Sequence, residues 1–196
     1  MVYTREEFVK KYGDFINRAV EGTGILAGTL IAQAIIESQG KVGNVYKVGA
    51  SKLAREANNY FGIKADSRWK GAKYNISTGE YTPQGKYYVE EGASFRSYSS
   101  VKNSIKDYVS FLKNNPRYEK AGVFRAKTVK QQAEALKNAG YATSPTYATM
   151  IDSVYKGFKG VLSTSVSFAR QNWWAFALVG IGAVGVTVYL VKSNNN

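Results

Sequence analysis

A chain of 196 residues, 44% hydrophobic and 14% aromatic, carries enough apolar side chain for a packed domain of ordinary size, which excludes a disordered chain. It has no cysteine and no histidine, so disulfides, thiolate nucleophiles, Cys- or His-bound zinc and every triad built on an imidazole base are excluded. Any chemistry must rest on carboxylates, Tyr, Lys or Ser, and no metal or cofactor is expected. The net charge of +13, from 27 Lys and Arg against 14 Asp and Glu, favours a polyanionic partner, yet the basic residues are scattered and nucleic acid is not expected.

In chain order, Thr4 followed by Glu7 has the spacing of a capping box. It predicts a first helix with Phe8, Tyr12, Phe15 and Ile16 on one face and Gly22 as its stop. A second helix, from about Ile25 to Ser38, is apolar nearly all round, which marks it as central and buried. Residues 51–62, SKLAREANNYFG, predict a short helix capped by Ser51 and ended at Gly62. From 73 to 98 the chain is rich in Tyr, Thr and Val around TPQG, a β-hairpin pattern. Helices resume over SVKNSIKDYVSFLKNN, stopped by Pro116, and over TVKQQAEALKNAG, with Gly140 just past the end. A last helix is expected within SPTYATMIDSVYKGFKGVL. The architecture reads as mostly α, an α+β fold of one helical lobe and a small β-hairpin lobe.

The N-terminus, MVYTREEFVKKYGDF, has no apolar core and does not read as a secretory signal. Trp173 to Val191 is different: 19 residues without a charge. As a helix it spans about 28 Å at 1.5 Å per residue, close to the roughly 30 Å of a bilayer core. Trp173, Trp174 and Tyr189 stand near its ends, where aromatic residues favour the headgroup level. The expected organisation is a globular domain over 1–158, a juxtamembrane linker over 159–172, a single transmembrane helix over 173–191 and a polar tail over 192–196. Arg170 and Lys192 bracket the span, so charge asymmetry assigns no orientation.

Glu37 ends the apolar second helix. A carboxylate there faces the negative end of the helix dipole, and apolar surroundings strip its hydration. Both effects raise its pKa. A carboxylic acid still protonated near neutral pH, held in a cleft, is what protonation of a glycosidic oxygen requires. The same pattern also suits a Glu that marks where a buried helix meets solvent.

Six ordered blocks carry a family resemblance: TGILAGTLIAQAIIES, ANNYFGIK, FRSYSS, SIKDYVSFL, NPRY and NAGYATSPTYA. In order and spacing they resemble glycoside hydrolase family 73, peptidoglycan-cleaving glucosaminidases that include the hydrolase domain of flagellar rod-assembly proteins. The resemblance covers about residues 5–155. It implies a lysozyme-like fold with the substrate cleft between a helical lobe and a β-hairpin lobe. It implies Glu37 as general acid, Glu80 of STGEYTPQG as the base that activates water, and Tyr141 of GYAT as a cleft residue beside the acid. Asn59 and Phe61 of ANNYFG and Tyr147 of PTYA are expected to shape the sugar subsites. Packing roles for Phe61, Tyr141 and Tyr147, and an ordinary exposed strand charge at Glu80, are the alternative readings. The chain departs from the family at ESQGK, where many members have ESGWG, and at ATSP, where they have ATDP; neither departure removes a proposed catalytic group.

The resemblance implies peptidoglycan glycan strands as partner, cut at the β-1,4 bond between N-acetylglucosamine and N-acetylmuramic acid; the uncharged span 173–191 separately implies the lipid bilayer as second partner. A lytic transglycosylase on the same fold, or an inactive wall-binding membrane protein, are the other readings. A bacterial envelope and the internal membrane of a bacteriophage virion both suit a wall hydrolase anchored at its C-terminus. Oligomeric state is not read from the sequence.

Overall fold

The computed structural model describes the backbone of residues 1–81 and 87–171, with side chains for 1–77 and 89–162. Helix α1 (Arg5–Val20) starts at the expected capping box: the Glu7 amide donates to Thr4 Oγ1 at 3.1 Å and the Thr4 amide to Glu7 Oε2 at 2.7 Å. Helix α2 (Ala27–Ser38) runs through the centre of the domain, and Leu30, Ile31, Ala32, Gln33, Ala34 and Ile35 are fully enclosed. It has no capping side chain of its own. Instead Gln132, 106 positions away, accepts from the Leu26 amide at 2.8 Å and donates to the Gly24 and Val123 carbonyls at 3.0 and 2.8 Å. Gly28 is required where the last helix, which carries Tyr155, crosses: a Cβ there would lie 2.6 Å from the Tyr155 ring.

A two-stranded hairpin that the sequence reading did not anticipate follows α2: β1 (Gly40–Val42) pairs antiparallel with β2 (Val45–Lys47) across a Gly43–Asn44 turn with Gly43 at φ +60°. Helix α3 (Lys52–Ala57) is capped by Ser51 as expected but ends before Gly62. Asn58 adopts the left-handed conformation at φ 49° and stops it, with its side chain bonded to the Tyr98 carbonyl at 2.9 Å.

Strands β3 (Lys73–Tyr81) and β4 (Tyr87–Arg96) form the expected hairpin. The register shifts between the Ile76–Ala93 and Thr78–Glu90 pairs, where Gly92 at φ +65° takes up an extra β4 residue as a bulge. Helix α4 (Val101–Lys113) ends short of Pro116, which opens another helix, α5 (Pro116–Lys120), at its first turn. A 3₁₀ turn (Val123–Arg125), α6 (Val129–Asn138) and α7 (Tyr147–Gln171) complete the fold. Gly140 follows α6 at φ +79°, as its sequence position predicts.

The result is a mostly α, lysozyme-like α+β fold with α2 enclosed by α1, α6 and α7 and the β3–β4 hairpin at one side. Residues 159–171, expected as a linker, continue α7 as helix, and Leu162 still packs on the domain, against Gly13 of α1. Among the described residues no helix is long and apolar enough to cross a membrane; the expected span Trp173–Val191 lies outside them.

Candidate active site

Glu37 sits in the last turn of α2, and that turn is held from outside the helix. Ser38 Oγ donates to the Ala34 carbonyl at 2.5 Å and accepts the Gly49 amide at 3.1 Å, while the Ser51 amide donates to the Ser38 carbonyl at 2.9 Å. The Glu37 side chain is partly exposed and opens into a cleft of ≈ 820 Å³. Around its carboxyl the protein removes most of the hydration without supplying a hydrogen bond or ion pair among the described residues. Its pKa therefore rises from 4.5 to about 7, with burial as the cause. The helix-end carbonyls act in the same direction.

Four segments line the cleft together with Glu37: the loop after α3 (Phe61 to Arg68), Phe95 of β4, the α4–α5 corner (Phe111 to Tyr118), and Gly140–Tyr141 after α6. Phe61 lies flat against Tyr108, with ring centroids 4.1 Å apart and planes 4° from parallel. Tyr141 meets Tyr108 edge-on at 5.8 Å, and its hydroxyl donates to the Phe61 carbonyl at 2.8 Å. That bond joins two walls 80 residues apart in sequence. Burial pushes the Tyr141 and Tyr147 hydroxyls far above their ordinary pKa, and the nearby charge of Glu37 pushes them the same way. Both are neutral donors at any physiological pH.

Thus Glu37, Phe61 and Tyr141 share one cleft. Asn59 does not line it. It is 1% exposed, its amide nitrogen donates to the Ile63 and Arg96 carbonyls at 3.0 and 2.8 Å, and its carbonyl oxygen accepts from the Phe61 and Ile63 amides. Asn59 shapes the loop that presents Phe61, so its influence on a bound chain passes through that loop. Tyr147 is also enclosed behind the wall, 2% exposed, and accepts from Gln33 Nε2 at 2.7 Å. Glu80 lies in β3 opposite Tyr88, at the end of the hairpin away from the Lys73–Arg96 pair, and its side chain falls outside the described set.

The cleft also holds charged residues that the sequence reading did not single out: Lys64, Asp66, Arg68 and Arg117. Arg117 belongs to the NPRY block, but nothing in one sequence separates a cleft arginine from an ordinary surface one. Behind the wall, Arg96 pairs with Asp107 at 2.9 Å while its guanidinium lies between Trp69 and Phe111, 4.6 and 5.6 Å from their ring centroids. Tyr98 donates to the same Asp107 at 2.7 Å, so the root of β4 is fastened to α4. Among the described residues no cluster of three or more acidic side chains is placed to hold a metal ion. One partly desolvated acid, neutral tyrosines and an open groove are suited to proton donation to a bound polymer.

The family description "mannosyl-glycoprotein endo-beta-N-acetylglucosaminidase" matches residues 13–160. The peptidoglycan hydrolase FlgJ of Pseudomonas aeruginosa is 39% identical over 154 residues, which is 79% of this chain and 37% of that protein. This chain therefore spans well under half the length of that relative. The glycoside hydrolase domain of FlgJ from Salmonella typhimurium, C-terminally truncated, superposes with a TM-score of 0.57 at 34% identity, over 80% of this chain and 98% of that one. A peptidoglycan hydrolase from Sphingomonas sp. A1 gives a TM-score of 0.63 at 30% identity, over 82% of this chain and 94% of that one.

Proposed function

We propose that this chain, which belongs to the glucosaminidase family, hydrolyses the β-1,4 bond between N-acetylglucosamine and N-acetylmuramic acid in peptidoglycan. The observation that carries the reading is Glu37: a carboxyl open to the cleft, with no protein partner among the described residues and a pKa raised to about 7 by burial. Near pH 6 most of it is protonated. It donates that proton to the glycosidic oxygen as the C1–O bond breaks, and an oxocarbenium-like centre develops at C1. Tyr141 holds the Phe61 loop against the acid's side of the cleft.

Two routes then complete the hydrolysis. In one, Glu80 takes a proton from water as that water attacks C1 from the opposite face, and the product is inverted. In the other, the 2-acetamido oxygen of the substrate attacks C1 first and water opens the resulting ring. Glu80→Gln separates them: loss of turnover assigns the first, retained turnover the second. The uncharged stretch Trp173–Val191 supports a bilayer anchor that holds the hydrolase at a bacterial envelope or inside a phage particle.

The test is digestion of purified peptidoglycan by the full chain and by Glu37→Gln, with the new sugar ends identified by mass spectrometry after borohydride reduction. Reduced N-acetylglucosamine ends with the parent chain only, at a rate that falls about tenfold per pH unit above about pH 7, are expected. Anhydro-muramic ends would reassign the chain to transglycosylases, and reduced muramic ends to muramidases. No new ends from a folded chain would leave a wall-binding protein.

A further inference from the structure

Among the described residues three cations border the cleft, and they are not equivalent. Lys64 Nζ stands 2.6 Å from Glu90, and Arg68 grips Asp66 through Nη2 at 2.6 Å and Nε at 3.1 Å. Arg117 has no carboxylate within reach among the described residues. Its Nη2 donates to the Tyr118 hydroxyl at 2.6 Å and its guanidinium lies 4.7 Å from the Tyr118 ring centroid. Tyr118 is fully buried, so this anchor is rigid. On its other side Nη1 rests against Gly140, 3.7 Å from where a Cβ would be, and Gly140 leads directly into Tyr141.

A solvent-facing guanidinium held in one pose, with most of its N–H groups unused by the described residues, is pre-organised for an anion. Its charge is not spent on the acid either, because burial accounts for the pKa of Glu37. We propose that Arg117 reads a carboxylate carried by the muramyl unit of the glycan, on its lactyl group or its peptide, and so registers the chain across Glu37. The assignment rests on the peptidoglycan reading above and names the anionic feature of that substrate which this cleft selects. Carboxylate recognition by arginine is favoured over lysine because the planar fork bonds both oxygens at once.

The experiment measures sedimentation with insoluble sacculi at physiological salt, and kcat and KM separately, for the full chain and for Arg117→Gln and Arg117→Lys. Each is run on native sacculi and on sacculi whose carboxylates have been amidated with a carbodiimide and ammonia. One charge-assisted bond is worth roughly a factor of ten or more. Arg117→Gln is expected to weaken binding and raise KM by about that factor with little change in kcat, and Arg117→Lys to fall between. Amidation is expected to weaken the parent chain equally and leave Arg117→Gln unchanged. Competition by peptide-free glycan strands, which expose the lactyl carboxylate that the peptide otherwise holds as an amide, assigns a peptide-free muramyl unit as the source if it depends on Arg117, and the peptide's own carboxylates if it does not.

An Arg117→Gln chain that loses equally on native and amidated walls, or a parent chain indifferent to amidation, overturns the inference. Binding that follows the expected pattern without any cleavage would uphold Arg117 as a carboxylate reader and sink only the glycosidase reading.

Discussion

Glu37→Gln should abolish catalysis and, at high pH, make the domain more stable. The carboxyl has an ordinary pKa of 4.5 and about 7 in the fold, raised by burial, so the native state holds its proton more tightly than the unfolded chain. Between those two values the folded state binds more protons, and stability falls as pH rises. Below pH 4.5 the group is protonated in both states and costs nothing; above pH 7 the full penalty applies. At about 1.36 kcal/mol per pH unit of displacement, the penalty is about 3 kcal/mol. A neutral isostere escapes it. Urea unfolding followed by tryptophan fluorescence should therefore place Glu37→Gln within about 0.5 kcal/mol of the parent at pH 4, and up to about 3 kcal/mol above it at pH 8.5. Equal differences at the two pH values, or a mutant less stable at pH 8.5, would refute the claim that burial strains this carboxyl.

Three other expectations follow from the packing. Asp107→Ala leaves the enclosed Arg96 guanidinium without its counter-charge and the Tyr98 hydroxyl without its acceptor, and should cost about 3 kcal/mol in a thermal melt. Asn59→Ala removes four hydrogen bonds, three within its loop and one to Arg96 of β4; a loss of about 2 kcal/mol is expected, together with a higher KM as Phe61 moves, and an unchanged KM would show that the loop holds without it. Gly28→Ala drives a methyl to 2.6 Å from the Tyr155 ring, and should destabilise by about 1–3 kcal/mol unless α7 shifts, which the melting temperature reports.

Much of the fold was legible because local signals agreed with the final structure. Thr4–Glu7 and Ser51 open their helices where a capping box and an N-cap belong, and Gly140 follows α6 where a left-handed glycine belongs; these are interactions within a few residues. Pro116 was read as a stop and is also a start, since the same ring that ends one helix fits the first turn of the next. The β1–β2 hairpin was missed because its strands are three residues each, and its Gly43–Asn44 turn was the available signal. Asn58 rather than Gly62 ends α3, an outcome set by a bond to Tyr98, 40 residues on.

By itself, then, the sequence determined the main helices and the β3–β4 hairpin in their order, a carboxylate at the end of an apolar helix and the absence of imidazole and thiol chemistry. Tertiary structure decided everything that depends on residues distant in the chain. Gln132 caps α2 across 106 positions, and Tyr141 closes on the Phe61 carbonyl across 80. Whether a cleft cation is neutralised also rests on the fold: Lys64 meets Glu90 from the hairpin, while Arg117 meets a tyrosine and, among the described residues, no acid. Desolvation and charge pairing are properties of what surrounds a group in space, and a one-dimensional pattern records only its neighbours along the chain.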